Sequence, residues 1–264
     1  MKIGVIGTGN MGSALMDAFA LAPEHTMAAY NHGQEKLKAV CDRTGAVAMK
    51  SAADVVSDRD LILLAVKPIV MESVLQEIAP VLQPNQIVVS IAVGLTVAFY
   101  EEILGADKKI VRAMPNTPAA VQEGMTAFCF GGQVTVEEQQ TVLELFSLAG
   151  GTAVLPERLM NTVSALTGSS PAYVYMFIEA MADAGCYGGL PRAESYQLAA
   201  QAVLGAAKMV LETGKHPGQL KDEVCSPGGT TIRAVAELEQ RGMRSAVIEA
   251  IKSCVDAAGV PQSK

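Results

Sequence analysis

Gly7, Gly9 and Gly12 stand at the spacing G-x-G-x-x-G near the start of the chain. The chemistry that such a turn supports is phosphate binding. A glycine turn that opens a helix presents free backbone N–H groups at the positive end of the helix dipole. Gly7 permits the tight turn, Gly9 lets the backbone approach a pyrophosphate, and Gly12 lets the helix pack closely on its strand. A second stretch with similar capacity is Ser226-Pro227-Gly228-Gly229-Thr230-Thr231. Free N–H groups at a helix start there can hold a carboxylate, and the threonine hydroxyls can reach a ligand's polar atom. Taken by itself, this stretch reads first as a helix–helix turn with threonine caps.

The elements around the glycines favour nucleotide binding over an ordinary turn. Ile3–Ile6 is a short apolar run suited to a buried strand, and Met11–Leu21 turns helical, with Met11, Ala14, Leu15, Ala18 and Phe19 on one face. Strand, glycine turn and helix in that order form the dinucleotide-binding fingerprint. A second strand over Thr26–Tyr30 ends at Asn31. At about twenty residues past the glycines, NAD-binding chains carry an Asp or Glu for the ribose 2′-hydroxyl. Asn31 carries no charge to repel a 2′-phosphate, and His32 and Lys36 are near, so NADP is expected over NAD. Asn31 and Gln34 also fit a capping box opening a helix over Gln34–Thr44.

Alternation continues along the chain. Strands are expected at Val47–Met49, Leu61–Val66, Ile87–Ile91, Ile110–Met114, Met125–Phe130 and Thr152–Leu155, with helices at Ala52–Val56, Ile69–Val81 and Val136–Leu148. The unbroken apolar run at Leu61–Val66 implies a strand covered on both faces, as in a parallel sheet. It ends in Ala65-Val66-Lys67-Pro68, beyond the carboxyl end of a strand where ligands of such sheets bind. Lys67 is there either for a phosphate or carboxylate, or as a solvated side chain ahead of a proline at the first helical position. Ile87–Ile91 leads into Ala92-Val93-Gly94. Met114-Pro115-Asn116-Thr117-Pro118 is expected as an extended turn displaying its polar side chains. The pattern implies a doubly wound sheet with one or two late antiparallel strands.

After Pro156 strand-like runs cease. Helices are expected at Glu157–Leu166, Ala172–Gly185, Arg192–Gly214, Gly229–Gln240 and Met243–Ala257. The chain thus divides into a dinucleotide-binding domain over 1–155 and an all-helical domain over 156–264. The helix from Ala172 is apolar almost all round apart from Glu179 and Asp183, which calls for burial by a second subunit. Those two carboxylates share a face at i and i+4 and read as a hydrogen-bonded pair at an interface rather than as an acid–base couple.

Composition narrows the function classes. Half of the 264 residues are hydrophobic, yet aromatics make only 5% and Trp is absent, so the core is aliphatic. A net charge of −7 argues against nucleic acid or an anionic membrane surface as partner. The five cysteines show no C-x-x-C spacing and read as reduced thiols of a cytoplasmic protein. No signal peptide, membrane span or metal site is expected.

Taken together, these residues resemble the pyrroline-5-carboxylate reductase family over nearly the whole chain. The resemblance rests on Gly7-Thr8-Gly9-Asn10-Met11-Gly12, Ala65-Val66-Lys67-Pro68 and Met114-Pro115-Asn116-Thr117-Pro118. In the helical part it rests on Leu166-Thr167-Gly168-Ser169-Ser170-Pro171-Ala172-Tyr173, Glu179-Ala180, Asp183-Ala184-Gly185, Ser226-Pro227-Gly228-Gly229-Thr230-Thr231, Leu238-Glu239 and Arg244. Ser170 departs from the family's usual Gly, and some relatives carry Asn where Glu223 stands.

The resemblance implies an N-terminal Rossmann-type domain followed by a helical dimerisation domain, forming a homodimer or a larger ring of dimers. It implies NADPH-dependent, sometimes NADH-dependent, reduction of 1-pyrroline-5-carboxylate to L-proline, the last step of proline biosynthesis. The substrate would lie between one subunit's nucleotide domain and the helices of the dimer. Carried over to this chain, the cofactor contacts are Ile6, Gly7, Gly9, Asn10, Met11, Gly12, Asn31, His32, Ala65, Val66, Lys67, Pro68, Ala92 and Asn116. The substrate contacts are Glu223, Ser226, Gly229, Thr230 and Thr231, with the Thr231 hydroxyl, as the catalytic group, approaching the ring nitrogen. A protonated imine is already electrophilic, which suits a site poor in histidine. A 3-hydroxyacid dehydrogenase shares the two-domain plan but needs a catalytic Lys, and Ala172–Gly185 has none. A nucleotide-sensing protein without turnover would share the fingerprint and have no use for the Ser226–Thr231 site.

Overall fold

The structure is a computed structural model and describes residues 1–258. The chain forms two compact units, one of Met1–Ser169 with residues 255–258, the other of Ser170–Cys254.

The first unit is built on an eight-stranded sheet in the order β3-β2-β1-β4-β5-β6-β7-β8. Its strands are β1 (Lys2–Ile6), β2 (Thr26–Tyr30), β3 (Val47–Ala48), β4 (Leu61–Leu64), β5 (Ile87–Ser90), β6 (Lys109–Met114), β7 (Gly124–Phe130) and β8 (Gly150–Val154). The strands from β3 to β6 are parallel to their neighbours. β7 then runs antiparallel to β6, and β8 parallel to β7, so two late strands reverse direction as the alternation implied. Strand order turns around between β1 and β4, which is where a doubly wound sheet opens a crevice for a ligand.

Helices cover both faces, so the central strands Leu61–Leu64 and Ile87–Ser90 are fully buried. Alternate residues feed two cores. Ile3, Val5, Leu61 and Leu63 pack with Leu15, Phe19, Leu37 and Phe146 from α1 (Asn10–Phe19), α2 (Gln34–Thr44) and α6 (Val136–Ser147). Ile6, Ile62 and Leu64 pack with Val55, Met71, Leu75 and Tyr100 from α3 (Ala52–Val56), α4 (Pro68–Ile78) and α5 (Val97–Leu104). Edge-to-face aromatic contacts tie Phe146 to Phe19 at 5.2 Å and to Phe128 at 5.1 Å.

Several local expectations are corrected. Helix α5 was not anticipated; Thr96 caps it by accepting the Phe99 N–H at 3.3 Å. The stretch around Asn116 is no display turn. Thr117–Val121 coils into a 3₁₀ helix, and Asn116 is buried. The single helix expected over Glu157–Leu166 is a 3₁₀ turn (Glu157–Leu159), a short α7 (Met160–Val163) and a π-helical turn (Ser164–Gly168). The first unit accordingly continues past Leu155 to Ser169.

The second unit is helical: α8 (Ser170–Tyr187), α9 (Arg192–Thr213), α10 (Pro217–Val224), α11 (Thr230–Gln240) and α12 (Met243–Ala258). Residues 259–264 of the expected helical domain lie outside the described residues. Helix α10 is a further element that the sequence reading passed over; Pro217 fits its first turn, where a missing N–H costs nothing. α8 and α9 form a hairpin that turns at Gly189, φ 96°. A Cβ on Gly185 would meet Ser195 Oγ at 2.9 Å, so glycine there permits the close approach. Asp183 pairs with Arg192 across this hairpin and not with Glu179, because a guanidinium outcompetes a second carboxylate as partner. Along α8 only Ala182 is buried in the protomer, while Val174, Tyr175, Met176 and Phe177 are exposed.

Among the described residues no helix is long and apolar enough to cross a membrane, and no cluster of His, Cys, Asp and Glu could hold a metal ion. Cys41, Cys129, Cys186 and Cys225 carry free thiols.

Candidate active site

The glycine turn joins β1 to α1 at the switch point of the sheet. Gly7 has φ 103°, a conformation open to glycine, and its N–H donates to Tyr30 O at 2.8 Å. A Cβ on Gly7 would meet Ala65 O at 2.6 Å, and one on Gly12 would meet Gly7 O at 2.2 Å and Ala65 Cβ at 3.0 Å. Gly7, Gly12 and Ala65 therefore interlock, with Val66 alongside, and Ala65 N–H donates to Ile6 O at 2.8 Å. Ile6 itself is core. Gly9 is different: nothing lies within 4 Å of where its Cβ would be. It is the N-cap of α1 with no side-chain cap, and Asn10 beside it is exposed while Met11 is half-buried. The first N–H groups of α1 consequently face an open space bounded by glycine.

These residues fit a dinucleotide. The cradle at Gly9 would be filled by a Cβ, the helix start has no internal anion, and the buried Thr8 hydroxyl has no hydrogen-bond partner. Thr8 was missed as a site residue; its position between two fingerprint glycines was the available signal.

Asn31 lies at the end of β2, beside the cradle. Its Oδ1 accepts the Thr8 N–H at 3.2 Å, and its Nδ2 donates to Gly33 O at 3.0 Å. This corrects the capping box: Gly33 is the N-cap of α2 without a side-chain bond, and Gln34 Nε2 reaches Asn31 O at 3.2 Å instead. Asn31 spends its amide on bracing the glycine turn, so it cannot cap. His32 is exposed next to it.

Lys67 is exposed as N-cap of α4, and Pro68 occupies the first turn. Ala92 is buried in the loop after β5, its N–H donating to Ser90 Oγ at 3.2 Å. Asn116 departs from its expected place: its Oδ1 accepts the Met125 N–H at 2.7 Å and its Nδ2 donates to Thr167 O at 3.0 Å. It is a buried strut that holds the π-helical turn, with both ends of its amide engaged.

In the second unit, the Ser226–Thr231 stretch turns from α10 into α11. Gly228 has φ 68°, and Gly229 N–H donates to Ser226 O at 3.0 Å. A Cβ on Gly229 would stand 2.4 Å from Ser226 Oγ and 3.1 Å from Ser226 O, so a side chain there would displace the Ser226 hydroxyl. The threonine-cap reading is corrected, since Gly229 is the N-cap and no side chain satisfies the helix start. The N–H groups of the first turn remain available, beside exposed Thr230 and half-buried Thr231. Glu223, exposed on α10, is bound to Lys215 at 2.8 Å and to Gln219 at 3.1 Å. The Lys215 ammonium holds its carboxyl below the usual range, so its charge is matched locally.

A doubly wound sheet with a glycine cradle at its switch point, followed by a helical unit, defines a dinucleotide-dependent oxidoreductase. Residues 2–94 match the family "NADP oxidoreductase coenzyme F420-dependent", and residues 157–259 match "Pyrroline-5-carboxylate reductase dimerisation". The chain is 50% identical to the pyrroline-5-carboxylate reductase of Escherichia coli, over 97% of this chain and 96% of that one. It belongs to the pyrroline-5-carboxylate reductase family. Among solved structures, the Coxiella burnetii reductase is similar at TM-score 0.90 and 32% identity, over 97% of this chain and 96% of the other. The Plasmodium falciparum pyrroline carboxylate reductase, solved with NADP bound, is similar at TM-score 0.86 and 33% identity, over 98% and 97% of the two chains.

Proposed function

We propose that this chain reduces 1-pyrroline-5-carboxylate to L-proline with NADPH, the closing step of proline biosynthesis. The observation that carries the reading is the 50% identity to the Escherichia coli enzyme across 97% of the chain. The open cradle at Gly9 and the uncapped start of α11 supply the two binding elements that the reaction needs.

When bound, NADPH supplies the hydride that reduces the carbon of the protonated C=N bond. The backbone around Gly7, Gly9, Asn10, Met11 and Gly12 holds the pyrophosphate, and Asn31, with His32 beside it, admits a 2′-phosphate that a carboxylate would repel. Ala65, Val66, Lys67, Pro68 and Ala92 border the same carboxyl edge. Asn116 acts on this site only by bracing the Thr167 carbonyl. The N–H groups after Gly229 hold the substrate carboxylate, Ser226 and Thr230 flank it, and the Thr231 hydroxyl hydrogen-bonds the ring nitrogen without changing charge. Glu223, neutralised by Lys215, stands outside direct contact. No general base is required, because orientation of an electrophilic imine carries most of the barrier reduction.

The first unit carries nucleotide binding and the helical unit from Ser170 carries substrate binding and dimerisation, and the exposed apolar side chains of α8 support a homodimer. The free thiols of Cys41, Cys129, Cys186 and Cys225 support a cytoplasmic, reducing setting.

The test is loss of NADPH absorbance with pyrroline-5-carboxylate, with NADH in parallel and proline identified as product. Rapid NADPH loss with proline formed is expected. Binding of NADPH with no turnover of any cyclic imine would replace this reading with a nucleotide-sensing role.

A further inference from the structure

The loop between β5 and α5, residues 91–96, is flanked by two polar pairs, Ser90–Tyr100 at its start and Arg112–Glu157 at its end. Ser90 closes β5, and Arg112 lies beside it in register on β6. Ser90 Oγ accepts the Ala92 N–H at 3.2 Å and lies 2.5 Å from the Tyr100 hydroxyl. At the far end, Glu157 Oε1 accepts the Val97 N–H at 2.7 Å and the Arg112 Nη1 at 3.2 Å. Ser90 and Tyr100 are fully buried, and Arg112 is 3% exposed. Two polar pairs, rooted at neighbouring register positions of β5 and β6, therefore fix where the loop begins and where it ends.

Simple core packing would not call for this arrangement. Burying a guanidinium and two hydroxyls, with the Glu157 carboxylate half-buried beside them, carries a desolvation penalty that apolar side chains would avoid. What the polar groups do, and apolar ones could not, is hold one backbone N–H inside the loop, at Ala92, and one at the helix residue that follows it, Val97. Between the latches the loop has little to shape it from within: Val93 is 48% exposed and Gly94 adopts φ 84°.

The loop leaves the carboxyl end of β5. The strand order β2-β1-β4-β5 puts Asn31 and the glycine turn on one side of the switch point and this loop on the other. A dinucleotide spans such a switch point, one nucleotide to each side. The 2′-phosphate end belongs with Asn31, which leaves the nicotinamide end for the β4 and β5 side.

We propose that Ser90, Tyr100, Arg112 and Glu157 are positioning residues that hold the 91–96 loop as a fixed wall for the nicotinamide half of NADPH. They set affinity and turnover through Ala92 and Val97 and touch neither cofactor nor substrate. The inference rests on the NADPH-dependent reading above and deepens it.

The experiment is calorimetric titration of the full chain with two probes, NADPH and adenosine 2′,5′-bisphosphate, the latter carrying the adenine half alone. Ser90→Ala, Tyr100→Phe, Glu157→Ala and Glu157→Gln are compared with wild type, with kcat and KM for NADPH read alongside. Tyr100→Phe keeps the ring and so preserves packing if the other variants fold poorly. Ser90→Ala, Tyr100→Phe and Glu157→Ala should each weaken NADPH about fivefold, the scale of one lost hydrogen bond, and leave the bisphosphate within about twofold. Glu157→Gln, which still accepts from Val97, should restore NADPH affinity. Parallel loss of both probes would mean general loosening, and unchanged NADPH affinity would mean no positioning role; either overturns the inference. Failure of the wild-type chain to bind NADPH would overturn the functional reading itself, whatever the variants do.

Discussion

The Oδ1 atom of Asn31 accepts the backbone N–H of Thr8 across 3.2 Å, so the side chain at the end of β2 braces the glycine turn. Asn31→Asp keeps an acceptor for Thr8 and adds a negative charge. The turn should survive while a 2′-phosphate is repelled. The ratio of kcat/KM for NADPH to that for NADH should fall by about tenfold or more, since roughly 1.4 kcal/mol of repulsion suffices. An unmoved ratio would leave Asn31 as a brace alone.

The glycines of the fingerprint should separate by phenotype. Gly12→Ala forces a Cβ to 2.2 Å from Gly7 O, an overpacking error against backbone. It should lower Tm by about 5 °C, with a cost of about 1–3 kcal/mol. Gly9→Ala meets no atom within 4 Å and should melt like wild type. It should nevertheless lose most NADPH affinity, because its methyl enters the cradle. Differential scanning calorimetry with and without NADPH reads both effects; a Gly9→Ala chain that binds normally would disprove the cradle.

Thr231 sits in the first turn of α11, where no side chain caps the helix start. Thr231→Ala should therefore leave folding intact. It should reduce kcat/KM for the imine about tenfold, with the dissociation constant for NADPH unchanged. Unaltered catalytic efficiency would remove Thr231 from the mechanism.

Burial pushes the Tyr100 phenol from 10.0 up to about 12. The folded state thus favours the neutral form. That contribution is complete below pH 10 and is lost as pH rises from 10 through about 12. Denaturant unfolding over this window should show wild type losing up to about 3 kcal/mol more than Tyr100→Phe. Parallel curves would show that the phenol titrates normally.

The doubly wound plan was legible because its signals are periodic and local. Unbroken apolar runs at Leu61 and Ile87 mark strands covered on both faces, and the switch from alternation to helical spacing after Pro156 marks the approach to the second unit, which starts at Ser170. What escaped was set by distant partners. Asn31 and Gln34 satisfy a local capping pattern, yet Asn31 is claimed by Thr8 from another loop. Asn116 stands between two prolines like a displayed turn residue, but Met125 and Thr167 draw its amide inward. Asp183 follows Glu179 by one helical turn, and its partner Arg192 comes from beyond the hairpin. Arg112, a cation within an apolar strand, needs a counter-ion, and sequence alone does not name Glu157. Helix α5, at 8 residues, is too short for its period to stand out.

Tyr175 and Met176 on α8 are 61% and 68% exposed in the protomer. Each 100 Å² of such apolar surface left in water forgoes about 2.5 kcal/mol. A partner covering that row would return the energy only in proportion to how often the subunits meet. Dilution would then act on this chain as a mild denaturant: heat resistance would rise with protomer concentration, and assays at nanomolar enzyme would sample a less durable molecule than assays at micromolar enzyme.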